Sequence, residues 1–304
     1  MDGRRSHGRS YPVWPGRPWL IHGPCLALLL LIAGCVATRN PEDRVTPELL
    51  AQRAELNRVA QDAMDRSDWP TARQSLEQLI LISPRSAEAY QRLGQVLQSQ
   101  GDYPNAETAY RKALDIDHDY AAALVGLGET EARLGRLQTA LAKLEEAAEI
   151  DPRRSRGHLI RGQVLEGLGR NDEAIAAYFR ALEFESNSIP ATVAVAKLQI
   201  DRGQPDQALA RIDQAIQQTP KDPEARHQRG RALLALNKND EAISDLKLAA
   251  ETLVNRPDVY YDLARAFEIA SPAYKAEALQ AAQRAEALAP GWADARDLSA
   301  RLMR

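Results

Sequence analysis

The sequence predicts an all-α solenoid, a row of antiparallel helical hairpins stacked side by side, and two observations predict it. One is an internal period of 34 residues. The other is a 304-residue composition with only 5% aromatics and an abundance of Ala, Leu, Arg, Glu and Gln. Such residues favour helix, and small ones at a fixed period let helices pack closely. Runs of alternating Val, Ile and Thr, which strands would need, are scarce.

The period is regular. Units begin at Arg53, Ala87, Ala121, Ser155, Ile189, Pro223 and Pro257. Their eighth place holds Ala60, Gly94, Gly128, Gly162, Ala196, Gly230 and Ala264. The twentieth runs Ala72, Ala106, Ala140, Ala174, Ala208, Ala242 and, after a two-residue insertion, Ala278. The twenty-seventh is Leu79 and then alanine in every later unit. Helix axes come within ~8–10 Å only where side chains at the crossing are small. Leu76, Tyr110, Leu144, Tyr178, Ile212 and Leu246, at the twenty-fourth place, fill the space between. Gly101, Gly135, Gly169 and Gly203 mark the turn inside a unit, because glycine accepts the positive φ that ends a helix. Pro84, Pro152, Pro220 and Pro290 close units, where proline cannot continue the preceding helix.

These residues resemble the tetratricopeptide-repeat family over residues 53 to about 290. The resemblance implies a right-handed superhelix of helix–turn–helix repeats with a concave groove lined mainly by the first helix of each unit. The sequence departs from the family where Glu131 and Gln199 replace an aromatic at the eleventh place, and where His118, Ser186 and Val254 replace the closing proline. The expected organisation is seven repeats over residues 48–291 and a polar capping helix over 292–304. Thr46-Pro47 reads as an N-cap followed by a favoured first-turn proline, so both ends of the array look finished. The enlarged turn at Ser271-Pro272 makes the seventh unit the one expected to fray first.

The N-terminus reads as an address. Eight apolar residues at 26–33 follow several arginines, too few to span a bilayer but suited to a signal peptide. Ile32-Ala33-Gly34-Cys35 resembles the lipobox of bacterial lipoprotein precursors. That resemblance implies cleavage after residue 34, lipidation of Cys35, and residues 35–47 as anchor and tether. Val36 in place of Asp goes with the outer membrane, facing the periplasm. The competing reading is an uncleaved apolar tail.

Four arginines against one aspartate give the first 34 residues +3, which leaves −6 for the rest of a −3 chain. A mildly acidic body argues against nucleic acid as a partner. Cys25 and Cys35 are the sole cysteines, so the remainder can form neither a disulfide nor a thiolate metal site. The five histidines are scattered in the repeat frame, and phosphate loops and nucleophile elbows are absent. No catalytic residue, metal or cofactor is expected. His158, Arg226 and Arg161 occupy places that are normally apolar, which fits either function or long stems buried with their tips free.

The groove-facing places carry the candidate site. In the C-terminal half the ninth place holds Lys197, Arg231 and Arg265, and the fifth holds Val193, His227 and Tyr261. Ile200 and Leu234 add apolar surface at the twelfth. Stacked cations in a recessed wall suit an extended peptide with an acidic side chain or a C-terminal carboxylate. Alternatively they pair with neighbours such as Glu224, Asp258 and Glu268. The pattern of basic residues and asparagines that clamps chaperone C-termini is not reproduced. The function expected is a lipid-anchored protein-interaction scaffold that helps assemble an envelope complex. The alternative is an accessory subunit of an envelope enzyme or a polysaccharide-export machine.

Overall fold

A computed structural model describes residues 46–304. The expected signal peptide, Cys35 and the expected tether up to residue 45 lie outside the described residues. Fifteen α-helices and one 3₁₀ turn, with no strand, make up the described residues. The first eight helices are α1 (Pro47–Asp65), α2 (Trp69–Ile82), α3 (Ala87–Ser99), α4 (Tyr103–Ile116), α5 (Ala121–Arg133), α6 (Leu137–Ile150), α7 (Ser155–Gly167) and α8 (Asn171–Phe184). They continue as α9 (Ile189–Asp201), α10 (Pro205–Gln218), α11 (Pro223–Ala235), α12 (Asn239–Thr252), α13 (Pro257–Ala270), α14 (Lys275–Leu288) and α15 (Ala293–Leu302). Odd and even helices pair into hairpins, and each hairpin packs on the next to give an α-solenoid.

Helix starts follow local chemistry. The Asp68, Ser86, Asp102 and Asp222 side chains accept from the backbone N–H three residues on, which satisfies an otherwise orphaned donor. Proline occupies the first turn of α2, α4, α9, α10, α11 and α13, where its missing N–H costs nothing. Inside each of the first six hairpins the backbone makes the same sharp stop. The residue at the sixteenth place donates to the carbonyl five residues back, as in Arg136 to Glu131 at 2.9 Å. That stop needs a positive φ just before it. Glycine supplies it four times, and Ser67 and Asn237 do so at φ 57° and 59° in the first and sixth units. In the seventh unit the stop is replaced by the 3₁₀ turn Pro272–Tyr274. The Ser271 side chain caps that turn, and Tyr274 packs on Phe267 with ring centroids 5.4 Å apart.

The core is serial. Buried apolar clusters run from Ala60 to Val96, Leu97 to Leu127, Leu124 to Leu198, Ala196 to Ala232, and Leu233 to Leu302. Each is built from neighbouring units, so contacts are local along the chain and stability is close to one-dimensional. The alanines of the twentieth place, from Ala72 to Ala278, are fully buried. In the closing helix Leu298 and Leu302 reach the last cluster, and Arg301 forms a two-armed ion pair with Glu268 at 2.8 and 2.9 Å.

Tyrosines at the twenty-fourth place wedge the seams. A Cβ on Gly94 would lie 2.8 Å from the Tyr110 ring, and one on Gly126 only 2.4 Å from it. Gly162 stands in the same relation to Tyr178, at 2.4 Å. The Tyr110 hydroxyl donates to Gln98 at 2.6 Å and the Tyr178 hydroxyl to Glu166 at 3.1 Å. Burial pushes both phenols well above their ordinary pKa, so they remain protonated donors. The aromatic-to-polar changes at the eleventh place are absorbed inside: Glu131 and Gln199 are both buried, and the Gln199 amide donates to Gln207 at 3.3 Å.

Candidate functional site on the inner wall of units four to seven

Helices α9, α11 and α13 are the first helices of three successive units, and a 34-residue period puts equal places one above another. Val193, Lys197, His227, Arg231, Tyr261 and Arg265 all line one open cavity of about 530 Å³. The two remaining candidates do not. Leu234 is only 7% exposed and belongs to the core cluster of the sixth and seventh units. Ile200 packs against the cluster of Ala196 and Ile212. The expectation that these two add groove surface is therefore corrected. At the twelfth place the side chain turns toward the second helix, where an apolar residue gains more by packing than by lining a wet wall.

His227 also differs from a surface residue. It is 1% exposed, and its Nε2 lies 2.9 Å from Asp262 Oδ2. Asp262 was not singled out from the sequence. It sits one place beyond the position equivalent to His227 in the next unit, a relation visible once the repeat register is laid out. Arg231 joins this network, 3.5 Å from Asp262, 2.8 Å from Asp201 and 2.8 Å from the Gln228 side-chain oxygen. A buried histidine, a carboxylate and an arginine that satisfy one another hold a rigid polar wall.

The cations are mostly neutralised, but not by the partners expected. Lys197 pairs with Glu166, the carboxylate that also accepts from Tyr178. Glu224 and Asp258 are taken by Arg256, at 2.5 and 2.6 Å, and Glu268 by Arg301. Among the described residues Arg265 has no carboxylate within 4.0 Å. It is exposed, with its guanidinium 5.9 Å from the centre of the Tyr261 ring. Tyr261 in turn packs on Trp292, their centroids 4.6 Å apart. The wall therefore offers one cation without a carboxylate partner beside an aromatic pair, surrounded by charges that are paired with one another.

Sequence models of the tetratricopeptide repeat match residues 86–153, 125–188, 165–231 and 223–252, an unbroken run over the wedged seams and the part of the cavity wall before residue 253. The chain belongs to the tetratricopeptide-repeat family. No curated protein matches the chain by sequence. Among solved structures it is similar to a tetratricopeptide repeat protein from Parabacteroides merdae, at 20% identity and TM-score 0.59, covering 84% of this chain and all of that one. It is similar to a chain of the APC/C hetero-tetramer Cut9–Hcn1, at 15% identity and TM-score 0.69, covering 91% of this chain and 59% of that one. It is also similar to PilW, a type IV pilus biogenesis factor, at 18% identity and TM-score 0.60, covering 71% and 98%. Identities this low establish a shared tetratricopeptide fold.

The fourth-place residues are structural in this solenoid. His158 Nε2–H donates to the Pro152 carbonyl at 2.8 Å, and Arg226 Nε–H donates to the equivalent Pro220 carbonyl at 2.8 Å. The Arg226 tip is not free, since it also holds buried Asp245 at 2.6 Å. Burial, the largest influence on His158, lowers its pKa below the usual 6.5. As pH falls through the unfolded histidine's range, the unfolded chain takes a proton that the folded ring refuses. His158 thus contributes stability at neutral pH that is lost on acidification. On acidification from neutral pH through the unfolded histidine's range, the parent should therefore lose more unfolding free energy than His158→Gln. Parallel pH dependence of the two in urea melts would contradict this.

Proposed function

We propose that the chain is a lipid-anchored interaction scaffold of a bacterial envelope, without chemistry of its own, that holds an extended peptide against the inner wall of units four to seven and so helps assemble an envelope complex. One observation carries the reading: six groove-facing side chains from three helices converge on a single open cavity whose charged side chains are paired with one another except Arg265. A wall of this kind suits a partner segment with one carboxylate for Arg265 and an apolar or aromatic side chain for the Tyr261–Trp292 pair. The family's general use as a binding scaffold and the solved pilus relative support an assembly role. The lipobox at Cys35 supports anchorage through lipid, and Val36 supports the outer membrane with the solenoid in the periplasm. Among the described residues no helix is long and apolar enough to cross a membrane.

The wall is tested by placing a photo-crosslinking residue at Val193 or Leu81 in cells that make the native chain. Leu81 is exposed and lies outside the cavity lining. A defined partner should be captured from Val193 and not from Leu81, and Arg265→Glu should weaken its affinity about tenfold, or ~1.4 kcal/mol. Equal capture from both positions, or unchanged affinity in the charge-reversed protein, would remove the groove reading. Cys35→Ser should move the protein from the detergent phase to the aqueous phase on partitioning. Retention in the detergent phase would remove the anchor.

A further inference from the structure

We propose that the seam between the fourth and fifth units holds a second binding site, for a small oxyanion of the carboxylate or phosphate type, with the Arg211 guanidinium as its charged contact. A cavity of about 240 Å³ opens there between the end of α8, the start of α9 and α10. Its polar lining is made of the hydroxyls of Ser186 and Thr192, the amides of Asn187, Gln214 and Gln218, and Arg211. Arg211 is the one charged side chain among them. The site shares no residue with the inner-wall cavity, so it stands independently of the function proposed above.

Three observations set Arg211 apart from an ordinary solvated arginine. Its head is held in place: the guanidinium carbon lies 4.8 Å from the centre of the Phe179 ring. Stacking of that kind engages the face of the group and leaves its in-plane N–H donors unused. Those donors are also unspent. Among the described residues no carboxylate lies within 4.0 Å of Arg211, and its Nε–H is shut off from solvent with no partner. Burial in addition lowers its pKa, so the charge is kept at a cost that a bound anion would offset.

The repeat itself provides the comparison. Arg211 is the twenty-third residue of its unit, and Asp245 is the twenty-third of the next. Asp245 is buried and held by Arg226 at 2.6 Å and Arg229 at 3.1 Å, from the fourth and seventh places. In the fifth unit those places are Thr192 and Val195. The equivalent seam is thus neutralised within the protein at the sixth unit, where Arg229 also pairs with Asp213 of the fifth at 2.8 Å, and is left with a cation and hydrogen-bonding neutral groups in the fifth. An external oxyanion completes the balance there, with the planar guanidinium as a two-pronged donor and Thr192 and Asn187 within the same cavity. The volume admits a carboxylate or phosphate group.

The Arg211 Nε–H resonance of the full chain, assigned by its loss in Arg211→Lys, reports directly on the site. It should move saturably, with a low-millimolar or tighter midpoint, when inorganic phosphate or a short peptide with a free C-terminal carboxylate is added at constant ionic strength. Movement with phosphate alone identifies a free oxyanion as the occupant. Movement with the peptide acid but not with its C-terminal amide identifies a peptide carboxylate. Arg265→Gln should leave either response intact, and Thr192→Val, which keeps the fold's shape, should weaken it several-fold. A resonance that stays still with both probes, or a response lost equally in Arg265→Gln, would overturn the proposal.

Discussion

Gly162→Ala should lower the unfolding free energy of the solenoid by ~2 kcal/mol or more, although alanine is the better helix former by ~1 kcal/mol. The new methyl would sit 2.4 Å from the Tyr178 ring, far inside contact distance. The ring has little room to yield, because it is fully buried and its hydroxyl is tied to Glu166. Gly126→Ala, with the same 2.4 Å approach to Tyr110, should behave alike. The repeat suggests the cure. The first and fifth units combine alanine at the eighth place with Leu76 or Ile212 at the twenty-fourth. Gly162→Ala with Tyr178→Ile should therefore recover more than half of the loss. Denaturant melts that give the two changes as simply additive would refute the wedge, since residues in contact must couple.

Asp245→Ala should cost ~2–4 kcal/mol, the second large effect, by leaving Arg226 at the seam without a carboxylate and Arg229 with Asp213 alone, at 2.8 Å. Asp245 is 3% exposed and lies between Arg226 and Arg229. Burial outweighs both arginines and raises its pKa, so its ionisation is itself costly. Asp245→Asn, which keeps the shape and an acceptor, should consequently cost much less than the alanine change. An alanine variant as stable as the parent by urea melt would show that Arg226 and Arg229 turn to water without loss.

Most of the fold could be read in advance, because each repeat solves the same packing problem with the same residue sizes. The buried alanines from Ala72 to Ala278, the turns at Gly101 to Gly203 and the closing helix after Trp292 all lie where the 34-residue frame puts them. The site was only partly legible. The frame brought Val193, Lys197, His227, Arg231, Tyr261 and Arg265 to one wall, yet could not say that Leu234 faces the core or that His227 is buried against Asp262. Pairing was hardest. Glu166 lies 31 residues from Lys197, Asp201 30 from Arg231 and Glu224 32 from Arg256, a little under one period, and long side chains have several carboxylates in reach.

The linear order of residues by itself determined the period, the helical hairpins and the family, since backbone preference and side-chain size act locally and repeat. Tertiary structure alone decided which charges cancel, leaving Arg265 on the inner wall and Arg211 at the seam with unused donors. The physical reason is range: a glycine or an alanine states its role through its own volume, whereas a charge takes its meaning from whatever the folded chain places within a few ångströms of it.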